Sequence, residues 1–172
     1  MIGKLLLASA AALALASAAH AQPMPGPDGM TSDFITKAAQ SDEFERREGR
    51  LAEHKASSPM VRHFAEHMVM AHTQTTRGLK MAIHAAGMTP PPPPMLTDDQ
   101  SHMIGDLAHK SGGDFDRAYM DQQIHAHEDA LQVMQGYGMN GHPGPIKDAA
   151  NKTAPLVQQH LDMAKQLRGK LS

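Results

Sequence analysis

The chain has 172 residues, a formal net charge of −2, no cysteine and no tryptophan. The absence of cysteine excludes a disulfide framework and thiolate chemistry, and mild acidity without a basic stripe excludes a nucleic-acid partner. Aromatic residues make up 3%, while methionine and histidine reach 14 and 12. Ala, Leu and Met must therefore fill the core, and so many histidines need an explanation.

Residues 1–21 read as a secretory signal peptide. Lys4 precedes an apolar run from Leu5 to Ala16, and Ala19-His20-Ala21 supplies small residues around a cleavage point after Ala21. The run is too short to span a bilayer, and no later segment approaches twenty apolar residues, so no stable membrane insertion is expected. No cysteine follows the cleavage point, which argues against a lipid anchor. The expected destination is the periplasm or the exterior. Removal of the signal takes away Lys4 and moves the charge to −3.

Residues 22–31 are rich in Pro and Gly and read as a flexible leader. A helical domain is expected over residues 32–172. Its first helix starts at Ser32 or Asp33, either a good N-cap, and runs to about Ala56. Phe34, Ile35, Ala38, Gly49, Ala52 and Ala56 cluster within roughly 100° of its circumference. Glu45 falls inside that arc, and Glu48 lies between it and a second apolar pair, Phe44 and Leu51. A glutamate on an apolar face needs a partner if it is buried.

Ser57-Ser58-Pro59 restarts the chain, with Ser58 as cap and proline at the first helical position. The connection is short enough to make the first two helices antiparallel neighbours. The second runs to Ala86, with Gly87 as its terminating glycine. Its apolar stripe is Val61, Ala65, Met68, Thr75, Leu79, Ala82 and Ala86, and His72 falls within it. His63 and His67 pair four residues apart on another face, which reads as solvated; with Met70 nearby, capture of a metal by the pair is the lesser alternative.

Five consecutive prolines at 90–94 cannot be helical and form a stiff crossover between two helical hairpins. Thr97 and Gln100 make a capping box that opens a short helix through about Lys110. Ser111-Gly112-Gly113 breaks it, and Asp114 is expected to cap the next helix, which runs through Gln135. Its stripe is Met120, Ile124, His127, Leu131 and Met134, with Tyr119 alongside and His125 facing out. Gly136 to Pro145 read as a loop. The last helix runs from about Ile146 to Leu167 or Arg168, with a kink expected at Pro155. Its stripe is Ile146, Ala149, Thr153, Leu156, His160, Ala164 and Leu167. With no strand-like alternation and no fixed-period repeat, the chain is all-α.

One ionisable residue sits on the stripe of each main helix: Glu45, His72, His127 and His160. Burying all four without a shared purpose is costly. Three imidazoles and one carboxylate are a plausible ligand set for Zn(II), Cu(II) or Fe(II), with side-chain tips then expected to converge within about 5 Å. A buried polar network without metal is the alternative. Counting residues from the turns sets Glu45 and His72 at similar heights but leaves His127 and His160 roughly 7 Å apart. Catalysis by a nucleophile has no support, since neither cysteine nor a Gly-x-Ser-x-Gly elbow is present.

The chain also resembles the secreted bacterial family DUF4142. The matching residues are Glu45 with Gly49-Arg50-Leu51-Ala52, Lys55-Ala56-Ser57-Ser58, Phe64-Ala65 and Met68-Val69-Met70-Ala71-His72. They continue with the run from Ser111 to Tyr119, then His127, Pro155-Leu156 and His160-Leu161. The resemblance covers about residues 33–168 and implies a ferritin-like fold but no activity. The family's recurrent polar positions fall on Glu45, His72, Asp116, Tyr119, His127 and His160. Ala71 stands where the family has an acid, so any role of that acid is lost here. Asp116 is expected to serve its own helix end or Arg117, and Tyr119 to be a core ring whose hydroxyl meets a carbonyl.

Ferritin-type di-iron chemistry does not fit. That site needs Glu-x-x-His on two helices, whereas Val69, Ile124 and Val157 stand three residues before the stripe histidines. The resulting expectation is an exported, ferritin-like up-down four-helix bundle with a proline-rich crossover and a short extra helix. Its leading role is to bind or buffer one transition-metal ion, Zn, Cu or Fe, through Glu45, His72, His127 and His160. A non-catalytic envelope stress or interaction module is the alternative, and a metal-dependent oxidoreductase the third reading. Protein partners stay open; recognition of the proline run at 90–94 by a proline-binding domain is the lesser alternative to its role as a crossover.

Overall fold

A computed structural model describes residues 28–171, so the signal peptide and most of the leader lie outside the described residues. Five helices follow in chain order: α1 (Gly29–Lys55), α2 (Pro59–Ala85), α3 (Asp98–Ala108), α4 (Gly112–Asn140) and α5 (Pro145–Arg168). No strand occurs among the described residues.

Local sequence accounts for most of the helix ends. Pro59 opens α2, Gly87 terminates it with a φ of +73°, and Thr97 with Gln100 closes the capping box of α3. Three ends fall elsewhere than expected. α1 begins at Gly29, not at Ser32 or Asp33, because the Asp28 carboxylate accepts from the Thr31 N–H at 2.8 Å. Residues 29–31 therefore belong to the helix and not to the leader. α4 starts under Ser111, while Asp114 pairs with Arg117 at 2.6 Å. α4 also runs past Gln135 to Asn140, through two glycines. Tyr137 accounts for that: its ring stacks on Phe34 at 4.2 Å and its hydroxyl bonds Thr31 Oγ1 at 2.8 Å. Tertiary contact thus overrides the weak helix propensity of Gly136 and Gly138.

α1 and α2 pack as one antiparallel hairpin and α4 and α5 as another, with α1 against α4 and α2 against α5. The α1–α2 turn meets the start of α4, where the Asp116 carboxylate accepts from the N–H groups of Ser57 and Ser58 at 2.9 and 2.8 Å. Asp116 therefore ties the two hairpins together. α2 and α4 run parallel across the diagonal, so the chain must return along the bundle between them. The prolines at 90–94 make that return over Ile35, Ala39, Leu79 and Ile83. α3 then covers the far end, burying Leu107. This is an all-α, ferritin-like four-helix bundle with a proline-rich crossover and a short extra helix.

The stripes of α1, α2 and α4 face the core as their periodicity predicts, but that of α5 is rotated. Ala150, Val157 and Leu161 are buried, whereas Leu156 is 47% exposed. α5 passes through Pro155 as a single helix. The core is divided lengthwise. One apolar cluster gathers Phe34, Ile35, Leu79, Ile83, Met134, Tyr137 and Ile146. The other gathers Phe64, Met68, Leu107, Phe115, Tyr119 and Met120. Between them lie Asp42, Glu45, Glu48, His72, Gln123, His127 and His160, all buried.

Candidate metal centre

Each helix brings its polar residue to the middle layer by register. His72 lies thirteen residues after the start of α2, and Asp42 lies thirteen before the end of α1. His127 lies thirteen before the end of α4 and His160 fifteen after the start of α5. The expected 7 Å offset between the last two shrinks to about 3 Å because α4 is longer than the loop signal at Gly136 suggests.

The three rings form a nearly equilateral triangle, with centroids 5.5–5.6 Å apart. One ligand nitrogen from each lies within 4.8 Å of the other two. His72, His127 and His160 are 3%, 1% and 5% exposed. Three of their buried nitrogens have no hydrogen-bond partner: Nε2 of His72, Nε2 of His127 and Nδ1 of His160. A tetrahedral ion with bonds of 2.0–2.1 Å needs nitrogens about 3.4 Å apart, so the rings must draw in slightly around one.

Two of the rings are fixed from behind. His72 Nδ1 donates to Asp42 Oδ1 at 2.9 Å, and Thr75 and Thr76 donate to the two oxygens of the same carboxylate at 2.7 and 2.9 Å. His127 Nδ1 donates to the Gln123 carbonyl at 2.8 Å. An N–H at Nδ1 leaves the lone pair of a neutral imidazole at Nε2. Partners of this kind orient histidines that ligate metals.

Glu45 stands apart from this group. Its Oε1 is 3.5 Å from His127 Nδ1, the nitrogen already committed to Gln123, and so lies behind that ring and away from Nε2. Gln123 Nε2 donates to Glu45 Oε2 and Glu48 Oε2 at 2.6 and 2.7 Å, making a carboxylate–amide–carboxylate bridge. Glu45 sits one helical turn from Asp42, and Asp42 is the α1 acid level with His72. Of the four expected ligands, three converge and Glu45 does not.

The electrostatics differ around the triangle. Burial, then the charge of His72, pushes His127 down to about 3. Burial, followed by His72, His127 and His67, pushes His160 down to about 3. Burial also opposes charging of His72, but the Asp42 hydrogen bond and the charge of Glu45 outweigh it, so His72 is raised. Burial lifts Glu45 to about 7. It lifts Glu48 well above the usual carboxylate range, with Glu45 adding to the effect. The Tyr119 hydroxyl, expected to meet a carbonyl, has no hydrogen-bond partner; burial first, then Glu48, raise its pKa.

Residues 14–167 match the family described as domain of unknown function DUF4142. The chain belongs to that family. The fold is similar to that of a DUF305 fragment from Deinococcus radiodurans, at 13% identity and a TM-score of 0.71, covering 86% of this chain and 100% of that one. It is also similar to a DUF305 protein from Streptomyces coelicolor described as secreted, at 14% identity and a TM-score of 0.64, covering 79% of this chain and 91% of that one. At these identities the likeness speaks for the fold alone. No curated protein matches.

Within this DUF4142 chain, sequence reasoning overlooked Asp42 and Gln123. Asp42 lies four residues after Ala38 and three before Glu45, inside the apolar arc of α1, and Thr75-Thr76 supply matching hydroxyls on α2. Gln123 is four residues before His127, the spacing at which a histidine reaches the backbone carbonyl below it. For His67, the solvated face read from the sequence holds, but its neighbour across the bundle was not foreseen. Its ring lies edge-on to His160 at 5.3 Å. Both line a groove of about 660 Å³ between α2 and α5.

Proposed function

We propose that this DUF4142 protein binds one transition-metal ion in the middle of its bundle, through His72 Nε2, His127 Nε2 and His160 Nδ1. One observation carries the reading: three buried histidines, each with a partnerless nitrogen, bring one ligand nitrogen apiece within 4.8 Å of the other two, and two of their rings are held from behind. Left without an ion, they are polar groups buried at a cost of about 1–3 kcal/mol each. Three imidazoles suit Zn(II), Cu or Fe(II). The carboxylates of Asp42 and Glu45, next to the triangle but outside it, offset the charge of the ion. The apolar run at residues 5–16 supports a periplasmic or secreted setting, where such a protein would bind or buffer metal.

The test is a metal analysis of protein isolated without an affinity tag, followed by titration of the chelated protein. The expected result is one ion per chain, lost in His72→Ala and in His127→Ala. Metal should also raise the unfolding temperature, by about 2.7 kcal/mol of added stability at an ion concentration one hundred times Kd. A chelated protein that takes up no ion and melts unchanged in the presence of Zn(II), Cu(I), Cu(II) and Fe(II) rules the reading out.

A second reading draws on the groove. Three protein ligands leave a coordination position free, as at catalytic metal sites, and His160 borders solvent. A metal-dependent oxidoreductase would use that position for substrate. It requires turnover by the loaded protein, whereas a buffering role requires only reversible uptake.

A further inference from the structure

The outer face of α2 carries a second group of soft and borderline ligands. Met60, His63, His67, Met70 and Met81 follow one another at spacings that return to one side of a helix, and all five are exposed. Met70 and Met81 are 60% and 67% exposed. Methionine on a free surface contributes no core packing, and among the described residues six methionines are placed this way. Three, Met68, Met120 and Met134, are buried. Residues three and four apart on a helix have Cβ atoms about 5–6 Å apart, close enough for His67 with Met70, or His63 with His67, to hold one ion.

This stripe leads to the buried triangle at a single point. His67 lies on the outside of α2, and His72, five residues on, points inward. The ring of His160 is 5.3 Å from His67 on one side and 5.6 Å from His72 on the other. His160 is also the residue that belongs both to the triangle and to the groove wall. An ion in the groove therefore meets His67 and His160 before it can meet the nearly inaccessible His72 and His127. Histidine–histidine steps of this length let an ion exchange one ligand at a time, without ever being bare inside the bundle.

The ligand types narrow the ion. Imidazole accepts Zn, Cu, Fe and Ni, whereas thioether sulfur selects Cu(I). An outer site of methionine and histidine, feeding an inner site of three histidines, suits copper in its lower oxidation state. We propose that His67, which lines the groove facing His160, and Met70, three residues further along the outer face of α2, form a surface loading site for Cu(I), from which the ion passes over the His160 ring to the buried triad. This rests on the triad being a metal site.

A loading site is a way-station. Removing it slows arrival and departure by the same factor and leaves the equilibrium unchanged, while removing a resident ligand changes the equilibrium. The measurement is anaerobic stopped-flow transfer of Cu(I) from a chromophoric chelator to the metal-free protein, and the reverse transfer. The double variant His67→Ala/Met70→Leu, altered only at exposed positions, should slow both directions at least tenfold, with the final partition that of the wild type. Zn(II) uptake by Met70→Leu should proceed at the wild-type rate, since a thioether offers it little.

Wild-type rates in the double variant overturn the loading site while leaving the triad standing. A shifted final partition also overturns it, because His67 would then be a resident ligand. Equal slowing of Zn(II) by Met70→Leu overturns the assignment to Cu(I). If His72→Ala/His127→Ala takes up as much Cu(I) as the wild type, the triad reading itself falls.

Discussion

Asp42 sets the state in which His72 meets an ion. Its carboxylate accepts a hydrogen bond from Nδ1–H and is itself pinned by Thr75 and Thr76, so the ring is held and the lone pair at Nε2 points into the triangle. Asp42→Ala removes this support but leaves all three ligands. The expected outcome is one ion per chain with affinity lowered about 10–100-fold, measured by competition with a chelator. Glu48 gives a different kind of prediction, one about pH and the metal-free fold. Its folded-state pKa lies well above the ordinary 4.5 because burial, then Glu45, disfavours the anion. The folded protein thus holds this proton more tightly than the unfolded chain. The associated stability is complete below about pH 4.5 and is lost as pH rises through the folded value. Glu48→Gln keeps an oxygen for the Gln123 amide and cannot ionise. The variant should match the wild type in urea unfolding at pH 4 and exceed it at pH 8. Equal stability at pH 8 would mean that Glu48 carries no such penalty.

At the scale of helices, two glycines in similar sequence settings are expected to respond with opposite sign. A Cβ at Gly49 would lie 2.8 Å from Val69 Cγ2 and 3.3 Å from the Ala65 carbonyl, where α1 and α2 come closest. Val69 is β-branched and stiff in a helix, so the helices must part. Gly49→Ala gains about 1 kcal/mol of helix propensity against about 1–3 kcal/mol of overpacking. The net should be a lower unfolding midpoint. At Gly136 a Cβ would meet nothing within 4 Å and φ is not positive. Gly136→Ala should therefore stabilise by about 0.5–1 kcal/mol. The same glycine shows why some of the fold was legible in the sequence and some was not. Caps and stripes are local chemistry, so Ser58-Pro59, the Thr97 box and the apolar faces of α1, α2 and α4 could be read directly. Gly136 and Gly138 signal a loop locally, and only the distant Phe34 and Thr31, closing on Tyr137, keep α4 going. That error in one helix end produced most of the height mismatch expected between His127 and His160. Likewise Glu45 and Asp42 both fall inside the apolar arc of α1, and only height along the helix, which depends on how tightly the α1–α2 turn closes, tells them apart. The three histidines were legible, but the acid behind them was not.

For the molecule as a whole, the polar layer interrupts what would otherwise be one continuous apolar core. Seven buried polar residues separate the Phe34–Tyr137 cluster from the Phe64–Phe115 cluster. A layer with unpartnered atoms on Glu45, Glu48, Gln123 and three histidines is a poor way to hold four helices together. If function keeps it there, removing the part that does not ligate should strengthen the metal-free protein. Glu45→Met, Glu48→Met and Gln123→Leu together replace the carboxylate–amide bridge with apolar side chains of similar size. They also leave no member of that bridge buried without its partner. Exchanges of this type are neutral or stabilising by about 1–4 kcal/mol, so the triple variant should unfold at higher urea than the metal-free wild type while keeping its three histidines. Gln123→Ala alone should do the opposite, because it leaves two buried carboxylates without their shared donor, at a cost of about 1–3 kcal/mol. A triple variant less stable than the wild type would make the bridge a structural brace. The cost of the layer could then no longer be cited in favour of a metal, and the triad would have to stand on its own geometry.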